Sequence, residues 1–275
     1  MEEKRKRKML IGVELVLELV ESAIMTGRLS EHNPVSITLI GDPETGKTSI
    51  ATAKHCKAIE VFTDVTGRGL IDVCRANPIA THIVLNDLVA IMSHRPSVNA
   101  YTQAVINAMT EEGLQAIAVP GQKYVIENGK RGIIACQTFD LCRDGRAWWN
   151  KIGLNTRLLP FAFAHSSQLT LKIKAAIDNG EFDKKRKNKK AWLRIPEKAM
   201  IVRIPDKYVA EIRTLSDAKS KELGETGYRR LHQFRSLACG HALRRSRKRP
   251  SVGEPEIEFL NQIFPYISYR KLREL

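Results

Sequence analysis

The apolar run Val35-Ser36-Ile37-Thr38-Leu39-Ile40 predicts a buried strand, and the glycine-bracketed stretch Gly41 to Gly46 behind it predicts a tight loop. A helix should follow from Thr48 to roughly His55. The same reading continues along the chain. Ala58 to Phe62 is a short strand, Gly67 to Asn77 a helix stopped by Pro78, and Thr81 to Asp87 an apolar strand with a polar end. Val98 to Gly113 is a helix with Ala100, Val105, Ile106 and Met109 facing a core. Leu114 to Val119 and Lys123 to Glu127 form a hairpin turning at Pro120-Gly121, and Asn128-Gly129 leads into a strand over Arg131 to Thr138. Strands and helices that alternate in this way imply a parallel sheet covered on both faces.

Past Ala164 the texture changes. Leu169 to Asn179 reads as a helix, 184–190 as an exposed basic loop, and Trp192 to Ile204 as a short strand or hairpin. Three helical stretches follow, Asp206 to Leu223, Tyr228 to Arg245 and Glu254 to Phe264, with Ser251 or Gly253 starting the last and Pro265 ending it. The division is therefore an α/β unit over 1–165 and a small helical lid over 166–275. Near the start, Lys4 to Lys8 and then Met9 to Met25 have the outline of a leader peptide. Glu14, Glu18 and Glu21 recur inside it at helical spacing, so the segment is an amphipathic helix and no membrane association is expected.

Composition narrows the partners. The 275 residues carry 45 Lys and Arg against 30 Asp and Glu, a formal charge of +15. Much of the excess lies in Lys4 to Lys8, Lys184-Lys185-Arg186-Lys187-Asn188-Lys189-Lys190 and Arg244 to Arg249. Each run alone is equally a solvated surface; three together favour a polyanion. Five scattered cysteines, without C-x-x-C spacing, suggest neither a disulfide framework nor a zinc site. A reducing compartment follows, cytoplasmic and nucleoid-associated if the partner is DNA.

The chemistry is concentrated in Gly41-Asp42-Pro43-Glu44-Thr45-Gly46-Lys47-Thr48-Ser49, which fits the phosphate-binding loop pattern G-x-x-x-x-G-K-[ST]. Backbone N–H groups cradle phosphates, Lys47 supplies a point charge and the Thr48 hydroxyl can ligate Mg²⁺. ATP and Mg²⁺ are the expected ligands.

With these pieces in order the chain resembles AAA+ ATPases, most closely the branch of minichromosome maintenance (MCM) helicases and MoxR-type ATPases. The likeness extends over nearly the whole sequence. Leu10-Ile11-Gly12-Val13-Glu14-Leu15-Val16 resembles I-x-G-h-x-x-V, whose backbone borders the adenine, so Ile11 and Gly12 join the nucleotide set. The loop resembles G-D-P-G-x-x-K-[ST], with Glu44 in place of a glycine. Asn107 to Ala118 resembles the helix and hairpin arm before sensor 1, and Tyr228 to Leu243, with Val252 and Glu256-Ile257, the lid pattern. The implied fold is a three-layer P-loop NTPase core with a pre-sensor-1 type β-hairpin and a C-terminal helical lid.

The resemblance also implies roles. Thr138 occupies the sensor 1 position, which orients the attacking water, with a strand-end cap as its alternative. Arg157, in Gly153 to Pro160, resembles an arginine finger reaching the neighbouring subunit's γ-phosphate, with an ordinary salt bridge as its alternative. Arg229 matches the sensor 2 arginine, with Arg230 as a substitute. The family ends its Walker B strand in Asp-Glu, whereas this chain offers Asn86-Asp87, so Asp87 would hold Mg²⁺ and serve as base, and hydrolysis would be slow. Lys123 and Lys130, beside the hairpin, and Lys184, Lys185, Arg186 and Lys187 are candidates for gripping DNA. Trp148-Trp149 is either an interface anchor or core packing.

Three functions are thus in play. The first is an ATPase of ring form, a hexamer or heptamer, or a helical filament, that acts on DNA and is targeted by a protein partner. The second is a MoxR-like remodeller of a protein partner. The third, a small-molecule P-loop enzyme, leaves Thr138, Arg157 and the lid pattern unexplained.

Overall fold

The computed structural model describes residues 11–119, 122–126, 129–143, 153–180, 191–246 and 248–275. Pro120, Gly121, Asn128, Trp148-Trp149, the runs at 4–8 and 184–190 and Arg247 lie outside them, and Lys123 is described by its backbone alone.

Helix α1 (Glu14–Thr26) leads to strand β1 (Ser36–Ile40), every residue of which is buried. The loop that follows ends in α2 (Lys47–Ala51). That helix is shorter than the pattern suggests, because Lys54 and His55 form β2 (Lys54–His55) instead. They pair in parallel with β9 (Ala191–Trp192). Next come β3 (Ile59–Phe62), α3 (Gly67–Ala76) with Thr66 capping it, β4 (His82–Leu85), the short α4 (Leu88–Met92) and α5 (Pro96–Glu111). On α5 the inward residues are Thr102, Gln103, Val105, Ile106 and Met109, while Ala100 is exposed, a correction to the expected face. The antiparallel hairpin β5 (Ala116–Val119) and β6 (Gln122–Val125) precedes β7 (Gly132–Gln137).

A single turn, α6 (Leu154–Arg157), feeds β8 (Leu158–Ala164), and α7 (Ser167–Asp178) starts at the Ser166 cap. The long helices are α8 (Asp206–Leu223), α9 (Tyr228–Arg245) and α10 (Glu254–Ile263), each within a residue of its expected span. Met200 and Arg203 make isolated bridges to Leu29 and Ser251, so the 192–204 stretch is extended backbone tied to two other segments rather than a hairpin of its own.

The main sheet is parallel throughout, in the order β10-β8-β1-β7-β4-β3, where β10 (Arg273–Glu274) is contributed by the tail of the chain. Alternate residues of each strand enter opposite cores, as the pleat requires. Ile37, Leu39, Ile134, Cys136, Leu159, Phe161 and Phe163 pack with α1, α2 and α8 to α10. Ile40, Ile83, Leu85, Ile133, Ala135 and Ala162 pack with α3, α4 and α5. The result is a three-layer α/β fold. The chain leaves β1 for the far side of the sheet and returns to both of its flanks, which makes β1 a topological switch point. In an open parallel sheet the ligand crevice lies at the carboxyl ends of the strands beside such a point.

Candidate nucleotide site and a paired-arginine edge

Four strand ends converge at that crevice. From β1 comes the loop Gly41 to Gly46, from β4 Asn86 and Asp87, from β7 Thr138, and from β8 His165. The loop is held in shape locally: Thr45 Oγ1 donates to the Asp42 carbonyl at 2.8 Å and the Gly41 N–H to the Gln137 carbonyl at 3.4 Å. Gly46 turns through φ +75°, in the left-handed region that glycine enters freely. Glu44 does the same at φ +67°, alone among the described non-glycine residues. The residue that departs from the resemblance therefore keeps the backbone conformation a glycine would supply.

The ammonium of Lys47 lies over the loop. It donates to the carbonyls of Gly41 at 2.9 Å and Asp42 at 2.6 Å and to Thr45 Oγ1 at 3.2 Å. Burial pulls its pKa below the ordinary lysine value, against the fields of Cys136, Asp42 and Asp87. The Cys136 thiol is itself pushed up to about 12 by burial, so it is neutral and gives Lys47 no countercharge. The cation is thus left to Asp42, Asp87 and carbonyl dipoles, which suits it to an incoming anion. Since α2 spans five residues, its dipole is that of little more than one turn, and Lys47 carries most of the positive field.

Oxygen ligands for a hard divalent cation gather beside it. The exposed Thr48 hydroxyl donates to the Asn86 carbonyl at 3.3 Å, and Asp87 is exposed at the end of β4. Asp87 Oδ1 caps α4 by accepting from the Val89 N–H at 2.8 Å. Asn86 Oδ1 is buried without a hydrogen-bond partner. A hydroxyl, a carboxylate and an orphaned amide oxygen fit Mg²⁺, which prefers oxygen and keeps several waters.

Thr138 sits between the loop and Asp87, as the strand order dictates. Its Oγ1 accepts from the Leu141 N–H at 3.4 Å and so caps the helical turn that opens at Phe139. His165 was not singled out by its sequence, although a polar residue directly after the apolar run of β8 is a signal of the same kind as Asp87. Its pKa is lowered by burial, against a hydrogen bond with the Thr45 backbone, and Nε2 has no partner. Gly12 turns at φ +69° over the Leu169 side chain of α7, and Ile11 is half-buried next to it.

Arg157 and Arg229 are elsewhere. Leu158 pairs with Ser36, so Arg157 stands at the amino end of the sheet. Four or five residues of strand, roughly 15 Å, separate it from its own loop, beyond the reach of a side chain. There Arg157 Nη2 donates to Glu111 Oε2 at 2.6 Å, and Arg229 Nη2 pairs with Glu111 Oε1. Arg157 Nη1 also donates to the Gly153 carbonyl at 2.7 Å. This is possible because Gly153, at φ +71°, carries no Cβ where that nitrogen lies. Arg229 Nη1 donates to Thr156 Oγ1 at 2.6 Å. A cavity of about 310 Å³ opens beside the pair, bordered by His32, His232 and Gln233.

Arg230, the expected substitute for Arg229, is fully buried and committed to structure. It grips Glu225 through two bonds of 2.6 and 2.7 Å and donates to the Leu158 carbonyl at 3.1 Å. Lys130 Nζ donates to Asn33 Oδ1 at 2.9 Å, near the same amino-end edge. Among the described residues no helix is long and apolar enough to cross a membrane, and no His, Cys, Asp and Glu cluster forms a metal site. The chain matches no model of a known protein family, and no curated protein matches it.

Proposed function

We propose that this protein is an oligomeric ATPase of the AAA+ type, akin to the MCM and MoxR branch, in which ATP held by one copy is met by arginines of the next, and that it acts on DNA. The observation that carries this reading is the placement of its two kinds of cation. Lys47 serves the carboxyl ends of the strands, whereas Arg157 and Arg229 share the opposite edge and cannot reach the loop of their own chain. Arginines aimed away from their own site are useful to catalysis when a second copy presents its phosphates to them.

Within one copy, Gly41 to Thr48 would receive the phosphates and Ile11-Gly12 would border the base. Thr48, Asp87 and Asn86 would hold Mg²⁺, which polarises phosphoryl oxygens and neutralises their charge. Asp87 and Thr138, which follow the neighbouring strands β4 and β7, would orient the water. With an amide at 86 and one carboxylate already capping α4, turnover would be slow. The DNA assignment rests on the +15 charge and its clustering.

The test is nucleotide binding, sedimentation and ATPase rate, with and without single-stranded and duplex DNA at two salt concentrations. Lys47→Ala should abolish binding of ATP. Arg157→Ala should bind ATP normally yet lose hydrolysis by roughly 10³-fold or more in the assembled state. An Arg157→Ala protein as active as the parent would remove the shared site. DNA that neither binds in a salt-dependent way nor alters hydrolysis would shift the reading to a protein partner.

A further inference from the structure

We propose that Glu111 is an internal anion that occupies Arg157 and Arg229 and competes with a phosphoryl group for them, so that the arginine pair is masked in a single copy and released by an incoming phosphate. This rests on the shared-site reading above, in which the phosphate is that of a nucleotide carried by a second copy.

Geometry makes Glu111 a stand-in for phosphate. Its two carboxylate oxygens take one guanidinium each, Oε2 from Arg157 at 2.6 Å and Oε1 from Arg229. Carboxylates and phosphates satisfy the same planar fork of donors, and a phosphate brings more oxygens and more charge. Each arginine has a second anchor besides Glu111. Arg157 is tied to the Gly153 carbonyl and Arg229 to Thr156. The backbone between them is pinned as well: Gln233 Nε2 donates to the Arg157 carbonyl at 2.8 Å, and Arg230 and Tyr269 donate to that of Leu158 at 3.1 and 2.9 Å. Withdrawing the carboxylate would leave both forks in place.

Glu111 is also held against its own helix. It is the last residue of α5, where the dipole is negative, and the last turn contains no basic residue. Its side chain is 28 % exposed, Arg157 16 % and Arg229 46 %, so Arg229 is the outer gate of the cavity and Arg157 the inner. Glu111 and both arginines line the same cavity, which gives a displaced carboxylate and an incoming anion room beside the pair.

The test has two arms. In a Lys47→Ala background, which disables the loop, inorganic pyrophosphate is titrated by calorimetry into Lys47→Ala and into Lys47→Ala with Glu111→Gln. The second should bind about tenfold more tightly or better, and adding Arg157→Ala and Arg229→Ala should abolish the gain. Equal affinity in the two proteins, or a gain that survives loss of both arginines, overturns the proposal. In the second arm, sedimentation with a slowly hydrolysed ATP analogue and Mg²⁺ compares Glu111→Gln with the parent. The variant should assemble at several-fold lower protein concentration. A gain in the first arm with no assembly of either protein supports Glu111 as competitor and sinks the neighbouring copy as the source of phosphate. If Glu111→Gln does not fold, Glu111→Asp, one methylene shorter, should loosen the grip on the arginines and give an intermediate gain; no gain from it overturns the proposal.

Discussion

Glu44 holds a left-handed backbone turn that costs an L-residue about 1–2 kcal/mol. Replacing it with glycine removes that strain but adds roughly 0.5–1 kcal/mol of unfolded-state entropy. Glu44→Gly is therefore expected to stabilise the protein by up to about 1.5 kcal/mol, read as a rise in melting temperature. A fall would show that the Glu44 side chain supports the loop. Asp87 raises a different question, since it caps α4 and is also the carboxylate nearest the loop at the end of β4. Asp87→Asn leaves an amide able to cap the helix but no charge beside Asn86. On the proposed ATPase reading, ATP affinity should stay within a few-fold while single-turnover hydrolysis falls by about 10²-fold or more. Unchanged turnover would place the base on another residue.

At the scale of elements, the helical C-terminal region is not packed as a detached layer. Helix α1 crosses α9 so closely that a Cβ on Gly240 would lie 2.3 Å from the Ser22 carbonyl oxygen. Both helices share one apolar cluster with β1 and β8. The contact ties the N-terminal segment bearing Ile11-Gly12 to the helix bearing Arg229, so the two edges of the molecule are joined by a rigid pair. Gly240→Ala should push them apart and cost on the order of 2 kcal/mol, beyond the helix propensity that alanine gains. Thermal unfolding would show it as a drop of several degrees, and an unchanged melting point would mean the crossing relaxes freely. The helices themselves were legible in sequence, because α3, α5 and α8 to α10 repeat apolar residues at helical spacing, and α3, α8 and α10 stop at Asn77, at Gly224 and just before Pro265. The length of α2 was not. Lys54 and His55 turn to strand because they find Ala191 and Trp192, a pairing no local pattern announces.

For the whole molecule, two buried histidines give stability opposite pH slopes. His82 is fully buried with Nε2 against the Val35 carbonyl at 3.2 Å, and burial lowers its pKa to about 4. It stays neutral in the folded state while the unfolded chain protonates near 6.5. Its contribution is thus complete above pH 6.5 and is lost as pH falls towards 4, by on the order of 3 kcal/mol. His241 lies between Glu18 at 2.9 Å and Glu256 at 3.0 Å. Burial opposes its charge, but the two carboxylates outweigh burial and raise its pKa. Its contribution is complete below 6.5 and is lost as pH rises through the raised value. Melting temperature should therefore peak near neutrality and fall on the acid side, with the His82 imidazole still neutral by NMR at pH 5.5. A His82 signal titrating near 6.5 would contradict this.

The sequence by itself determined the buried strands, the long helices and the glycine-bracketed loop after β1, because periodicity, glycine turns and caps act between residues a few positions apart. Only the tertiary structure decided that β10 returns to the edge of the sheet through two exposed residues, that His165 joins the loop, and that Arg157 and Arg229 meet on Glu111 at the far end of the strands. Those are consequences of strand order and of side chains meeting across long stretches of chain. Such contacts depend on how the whole sheet closes, which local patterns do not encode.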